Sequence, residues 1–297
     1  MKIIKLIAVT QFVVMLLIFI AVVPARAGSV EDANAAAGAN ARGDYDEAIR
    51  LATRALEAGE LSQHNQAAAY INRGLANHVK GDFDHAIADY TKAIELDPED
   101  AVGFYNRGRS YNGKGDYDLA ISDYTKAIKI GGKDANGKAK ELNPKFADAY
   151  NNRGNAYKGK DDIDLAISDY TRAIELNPKL AIAYNNRGNA YEKKGLYPQA
   201  IEDFCQALQL KPDYADAYNG RAWAYHEKGE DAKGLPDAEK AVALAPKDAD
   251  IIETRAEVYE KLGQRDKAVA DYRTALKLDP KMKEAEDGLK RLGAELD

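Results

Sequence analysis

Six arginines in this 297-residue chain each have an aspartate sixteen positions downstream: Arg73 with Asp89, Arg107 with Asp123, Arg153 with Asp169, Arg187 with Asp203, Arg221 with Asp237 and Arg255 with Asp271. A guanidinium is a planar fork of donors and a carboxylate a matching pair of acceptors, so each couple has the chemistry of a two-pronged ion pair. Turned outward, the same arginines would form a row that grips an anionic ligand. The aspartate that accompanies every arginine favours the internal pair, with the arginine stem buried and its partner on an adjacent helix. On that reading Arg187→Leu is expected to be milder than Asp203→Ala, which leaves a buried charge unpaired.

Other reactive residues form no constellation. His64, His78, His85 and His226 lack metal-ligand spacing and have no cysteine pair beside them. There is no G-x-S-x-G elbow and no glycine-rich phosphate loop with its lysine and hydroxyl residue. Cys205, the single cysteine, falls in a helical pattern and reads as a packing residue rather than a nucleophile. No catalytic residue, metal or cofactor is expected, which leaves binding as the chemistry to explain.

The elements that carry these columns repeat. Small residues at Gly74, Gly108, Gly154, Gly188, Ala222 and Ala256 are 34 residues apart, except for one step of 46. Ala86, Ala120, Ala166, Ala200, Gly234 and Ala268 follow the same steps, as do Pro98, Pro144, Pro178, Pro212, Pro246 and Pro280 with Gly132 at the one position that lacks its proline. Within a unit, Tyr184, Gly188 and Tyr191 share one helical face, and Gly195 can end that helix in the left-handed conformation. Gly81-Asp82 and Gly115-Asp116 supply a terminator followed by an N-cap carboxylate. The second helix runs through Ala120, Tyr124, Ala127 and Ile128, and Leu-Asn-Pro or Leu-Asp-Pro stops it. Aromatic residues such as Tyr157 and Tyr170 are expected to fill the space left by Gly154 and Ala166.

The run Ala-Tyr-Asn-Asn-Arg-Gly-Asn-Ala-Tyr, at Ala149 to Tyr157 and again at Ala183 to Tyr191, followed by Ala-Ile-x-Asp-Tyr-Thr-x-Ala-Ile-Glu-Leu-Asn-Pro, resembles the tetratricopeptide repeat. Clear units fall at 67–100, 101–134, 147–180, 181–214, 215–248 and 249–282, with a weaker one at 29–62 whose first helix is alanine-rich and lacks aromatics. The resemblance implies an all-α fold, a right-handed superhelical solenoid of about seven helix-turn-helix units over residues 28–282, closed by a capping helix over 283–297 with Leu289 and Leu292 inward. Arginine is a departure from that family, which usually has an apolar residue there.

Two segments stand outside the repeat. Residues 1–27 have Lys2 and Lys5, an apolar run from Leu6 to Val23, and Ala25-Arg26-Ala27, the order of a secretory signal peptide cleaved after Ala27; an uncleaved N-terminal anchor is the rival reading. The protein is therefore expected to be exported, periplasmic or secreted, and to meet the membrane only if this segment is retained. Losing its three bases would take 42 basic residues to 39 against 48 acidic ones, a charge of about −9, which disfavours nucleic acid as a partner. The twelve-residue insertion at 131–142 is locally basic, with Lys129, Lys133, Lys138, Lys140 and Lys145 in or beside it, and reads as a surface loop, a contact loop or a hinge.

The resemblance implies that first helices line a concave groove holding an extended peptide or a partner helix. The positions that correspond to ligand-facing ones are Tyr105 and Arg109; Asn151 and Asn155 with Lys158; Asn185 and Asn189; and Asn219 with Trp223. They grade from Ile71 and Leu75, through amides, to Glu253, Glu257 and Glu260. Side-chain amides both donate and accept, which suits a peptide backbone. The lysine positions of the family's carboxylate clamp are held by Asn151, Asn185, Asp148 and Ile182, so that clamp is missing. The expected function is a non-enzymatic scaffold for a peptide or protein partner in the cell envelope. A self-associating structural element and a glycan binder remain as alternatives, the latter from the eighteen tyrosines and the asparagines.

Overall fold

The computed structural model describes residues 28–132 and 146–295; the expected signal segment and most of the insertion lie outside them. The described residues form fifteen α-helices and no strand. They fall into consecutive pairs: α1 (Ser29–Ala41) with α2 (Tyr45–Glu57), α3 (Gln63–Val79) with α4 (Phe83–Leu96), α5 (Ala101–Lys114) with α6 (Tyr117–Gly131), and α7 (Ala147–Gly159) with α8 (Ile163–Leu176). The series continues with α9 (Ala181–Lys193) and α10 (Tyr197–Leu210), α11 (Ala215–Glu227) and α12 (Asp231–Leu244), α13 (Ala249–Lys261) and α14 (Arg265–Leu278), then α15 (Lys283–Arg291). Each helix packs on its neighbours in sequence, the arrangement of a helical-repeat solenoid. None of the described helices is long and apolar enough to cross a membrane.

Local chemistry sets the turns. Gly81 sits at φ 80°, its N–H bonded to the His78 carbonyl and that of Asp82 to the Asn77 carbonyl, which closes the end of α3. Asp82 then accepts the His85 N–H as the N-cap of α4. Asp116 occupies the same place before α6 but makes no side-chain cap bond, a difference from the sequence expectation. Before Pro98 and Pro178, Asp97 and Asn177 are pushed to φ near −138°, and α4 and α8 stop there.

Aromatic side chains of the second helices fill the space between glycines. A Cβ on Gly154 would come within 2.7 Å of Tyr170, and one on Gly188 within 2.8 Å of Phe204. Phe204 also meets Gly220 of the following hairpin, where a Cβ would lie 2.4 Å from the ring. Thus one ring locks its own hairpin and the next. Tyr157, only partly buried, packs against the cluster that holds Tyr170 and Ala166.

The six arginine–aspartate couples are internal, and each lies within one hairpin. Arg187 Nε and Nη2 donate to the two carboxylate oxygens of Asp203, 2.7 Å each, and the same fork recurs at all six places. Five of the guanidinium groups also reach back one hairpin. Nη1 of Arg73, Arg107, Arg153 and Arg187 donates to Thr53, Thr91, Thr125 and Thr171, at 2.9 to 3.1 Å. For Arg221 the acceptor is Cys205 Sγ at 3.1 Å, so the single cysteine stands in the threonine column.

The insertion does not interrupt this pattern. Phe146 packs so closely on Gly131 that a Cβ there would meet the ring at 1.6 Å. Arg153 bonds Thr125, and Lys160 bonds Asp118 at 2.5 Å, across the joint. It is therefore tied like the uninterrupted ones, which argues against a hinge. At the far end α15 covers the last hairpin, with Leu289 fully buried and Gly288 against Tyr272, and ends at Arg291.

The structure reverses the order expected for Arg187 and Asp203. The aspartate side chains of the ladder are 4% to 12% exposed and the arginines 15% to 24%. The carboxylate is the deeper partner, and a stranded arginine can lean toward water. Arg187→Leu should therefore cost about 3 kcal/mol by leaving Asp203 buried and unpaired, and Asp203→Ala about 2 kcal/mol. Urea unfolding of both variants and of the double variant should give a double-variant cost below the sum by about 1 kcal/mol or more; simple additivity would mean that the fork contributes no coupling.

Candidate ligand-binding groove

First helices touch first helices along the chain, α3 with α5, α5 with α7, α7 with α9, α9 with α11 and α11 with α13, while no comparable contact joins successive second helices among the described residues. Elements that approach each other more closely lie on the inner side of a curved stack. The first helices therefore line the concave face, and the sequence-predicted positions can be followed along it.

The amides divide into two groups. Asn151 and Asn185 are each only 3% exposed and are part of the interior rather than of the groove surface, a correction to the expectation. Asn186 Nδ2 donates to Asn151 Oδ1 at 3.0 Å, Asn151 Nδ2 to Asn152 Oδ1 at 3.3 Å, and Asn152 Nδ2 to Tyr105 Oη at 3.0 Å. The first and third of these bonds run from one first helix to the next and the second lies within α7, so the amides stitch hairpins together. Asn155 is half spent, its Oδ1 accepting the Tyr170 hydroxyl at 2.8 Å. Asn189 and Asn219, by contrast, line open space with Trp223.

That space is a cavity of about 380 Å³ between α9, α11 and α13. Trp223 forms one wall, its ring stacked on His226 with centroids 5.1 Å apart, and His226 Nδ1 lies 2.6 Å from Asp231. Glu192, Asp216, Asp250 and Glu253 line the rest. Burial, with Glu227 nearby, pushes Glu192 up to about 7. Glu253 is pushed up to about 8 by burial and then by the charges of Glu257 and Glu284. The glutamates at this end follow from the repeat pattern, whereas Asp216 and Asp250 do not: both sit in the first turn of a helix, where acids are common for dipole reasons alone, so no pattern marks them.

A second cavity, of about 440 Å³, lies nearer the N-terminus and is lined by Arg109 with His78, Phe83, Asn112 and Asn152. No carboxylate among the described residues pairs with Arg109. Burial, then the charge of Lys193, lowers the affinity of Lys158 for its proton, and burial lowers that of His78. The concave face thus runs from cationic groups on α5 and α7 to carboxylates on α9, α11 and α13. No group of three or more metal-ligating side chains is arranged to hold a metal ion among the described residues.

Models of the tetratricopeptide repeat match residues 67–100, 101–134, 147–180 and 181–214, and two related models with the same description match 215–248 and 249–282. No curated protein matches the chain. Among solved structures, the chain is similar to the APC/C hetero-tetramer Cut9-Hcn1, at a TM-score of 0.71 and 18% identity over 86% of this chain; it spans 48% of the chain it matches there. It is also similar to a tetratricopeptide repeat protein from Parabacteroides merdae, at a TM-score of 0.65 and 21% identity, covering 89% of this chain and 99% of the other. YrrB, described as having an unusual peptide-binding site, matches at a TM-score of 0.50 and 26% identity over 68% of this chain and 95% of its own.

The raised carboxylates carry a consequence for stability. Glu192 and Glu253 bind protons in the fold at pH values where the unfolded chain, near 4.5, has released them. The folded state then holds more protons, so stability falls as pH rises from about 4.5 through about 8. Thermal melts should show a higher Tm at pH 6 than at pH 8, and Glu253→Gln should flatten that slope. An unchanged slope in the variant would place the carboxylate in ordinary water.

Proposed function

The chain belongs to the tetratricopeptide repeat family, and from that premise we propose that it is a non-catalytic scaffold whose concave groove holds an extended peptide segment of a partner protein. The repeat itself points to protein–protein interaction. The observation that carries the finer reading is the cavity of about 380 Å³ at α9, α11 and α13, where Asn189, Asn219 and the single tryptophan face open space. Cavities lined by an aromatic anchor and a few polar groups are where peptide side chains find most of their binding energy.

The amides support it in a second way. Asn151, Asn152 and Asn186 are consumed by bonds between hairpins, so the peptide-facing work falls to Asn189 and Asn219. The peptide-binding site described for YrrB agrees with this use of the fold. The order of Lys2, Lys5, the apolar run and Ala25-Arg26-Ala27 supports export, so the partner is sought in the cell envelope.

Affinity capture from envelope extract with the chain lacking residues 1–27 should retain a protein partner. The variant carrying Asn189→Ala, Asn219→Ala and Trp223→Ala, checked for folding by circular dichroism, should hold it at least about tenfold more weakly, a loss of about 1.4 kcal/mol. Equal retention by both would move the site off the concave face. Mass spectrometry of the exported protein should place its N-terminus at Gly28; a chain still beginning at Met1 would favour the anchor.

A further inference from the structure

Arg109 departs in two ways from the other arginines of the chain. The ladder arginines recur in each of six units, whereas the places equivalent to Arg109 hold Leu75, Asn155, Asn189, Trp223 and Glu257, so the repeat does not require an arginine there. It is also the one half-buried arginine among the described residues with neither a hydrogen bond nor an ion pair. Arg54 holds Asp32, Arg172 holds Glu175, Arg273 holds the Glu295 carbonyl, and the six of the ladder hold their aspartates. A half-buried cation left unpaired costs free energy, and an anionic group brought by a ligand removes that cost.

The cavity of about 440 Å³ beside α3, α5 and α7 is where that charge is open to a ligand. None of the residues that line it is acidic, and Arg109 is the only lysine or arginine among them. His78 is neutral near neutral pH, because burial, then the charge of Arg109, lowers its proton affinity; its Nδ1 lies 3.0 Å from Ser110 Oγ. Asn112 lines the same cavity. Its Oδ1 is the buried end of the amide, and its Nδ2 has no acceptor among the described residues, so it offers N–H donors. Asn152, by contrast, is spent on Tyr105 and Asn151. Phe83 and the exposed side chain of Val79 supply apolar wall beside these donors.

We infer that this cavity takes an acidic side chain of the partner peptide, a glutamate whose carboxylate accepts from the Arg109 guanidinium and the Asn112 amide while its methylenes lie against Val79 and Phe83. A guanidinium and a carboxylate match in shape as well as charge, two N–H donors to two oxygens. One guanidinium neutralises one carboxylate. A phosphate, with nearly two negative charges, would keep one of them uncompensated in a cavity that has no second cation. Arg109 falls at none of the lysine positions of the family's carboxylate clamp, which are held here by other residues. This inference rests on the peptide-binding reading of the groove and adds a second place, away from Trp223, at which the peptide is read.

The chain lacking residues 1–27, isotope-labelled for NMR, is titrated with acetyl-Ala-Glu-Ala-amide and, in parallel, with acetyl-Ala-Gln-Ala-amide, which has nearly the same shape and no charge. The Nε–H signal of Arg109, assigned by its absence from Arg109→Gln, should shift saturably with the glutamate peptide. The glutamine peptide should bind at least about tenfold more weakly. In Arg109→Gln the backbone amides of α5 should show no preference between the two peptides. Because the guanidinium ties down no other part of the chain, the thermal melt of that variant should match the wild type, so a lost preference is not a lost fold. Equal responses to the two peptides, no response to either, or a preference that survives in Arg109→Gln would overturn the proposal. Tighter binding of the phosphoserine peptide of the same length would assign the cavity to a phosphate, and equal binding of Ala-Gln-Ala with a free C-terminus would assign it to a chain end; either would overturn the glutamate side chain. The captured partner separates the two readings: retention unchanged by Arg109→Gln, but lost in the variant carrying Asn189→Ala, Asn219→Ala and Trp223→Ala, would leave the groove as the site and reject the acidic side chain.

Discussion

Every hairpin of the described solenoid from α3 onward is closed by a guanidinium that grips the carboxylate of its own second helix, and in five of the six it also reaches the second helix before. The fork has one good geometry, so it fixes the angle between the two helices of a unit and, through the third bond, the angle between units. A buried ion pair of this kind is weak as a source of net stability. Its value here lies in register: an apolar side chain at the arginine position would tolerate sliding, whereas a planar fork between two acceptors does not.

With the interior held in this way, the residues free to vary are those on the concave face. Two uses of the same amide chemistry appear there. Asn151, Asn152 and Asn186 are spent on stitching adjacent first helices, and their bonds end where Gly220 interrupts the series. Phe204 enforces that interruption, because its ring needs the room that a side chain at position 220 would occupy. A packing demand in the core thus leaves Asn185 Oδ1, in the interior, without a donor among the described residues. Among the described residues, Glu192, Asp216, Asp250 and Glu253 around the Trp223 cavity form no ion pair, and neither does Arg109 on α5. A ligand that lies along the groove would meet positive charge at α5 and α7 and negative charge from α9 to α13.

Much of this was legible in the residues. The 34-residue step, the glycine turns and the sixteen-residue spacing of arginine and aspartate each follow from chemistry within one unit, and the helix pairs fall where those signals put them. What was not legible depends on how units meet. Asn151 and Asn155, four apart on one face, look equivalent along a helix; only the approach of the next first helix buries one and leaves the other at the surface. The threonine column that receives Nη1, with Cys205 standing in for one member, is likewise a contact between units. The relative depth of Arg187 and Asp203 was also hidden, since both types bury or snorkel according to the neighbours they find.

An interior lattice repeated from α3 onward presents the concave face on which, we propose, a few unrepeated residues bind a peptide. Hydrogen exchange of the chain with and without its captured partner tests that most directly. Slowed exchange confined to the first helices, strongest in α9, α11 and α13, is the predicted result. Slowing spread over the second helices instead, or concentrated at α15, would put the partner on the convex face or the end of the stack and contradict it.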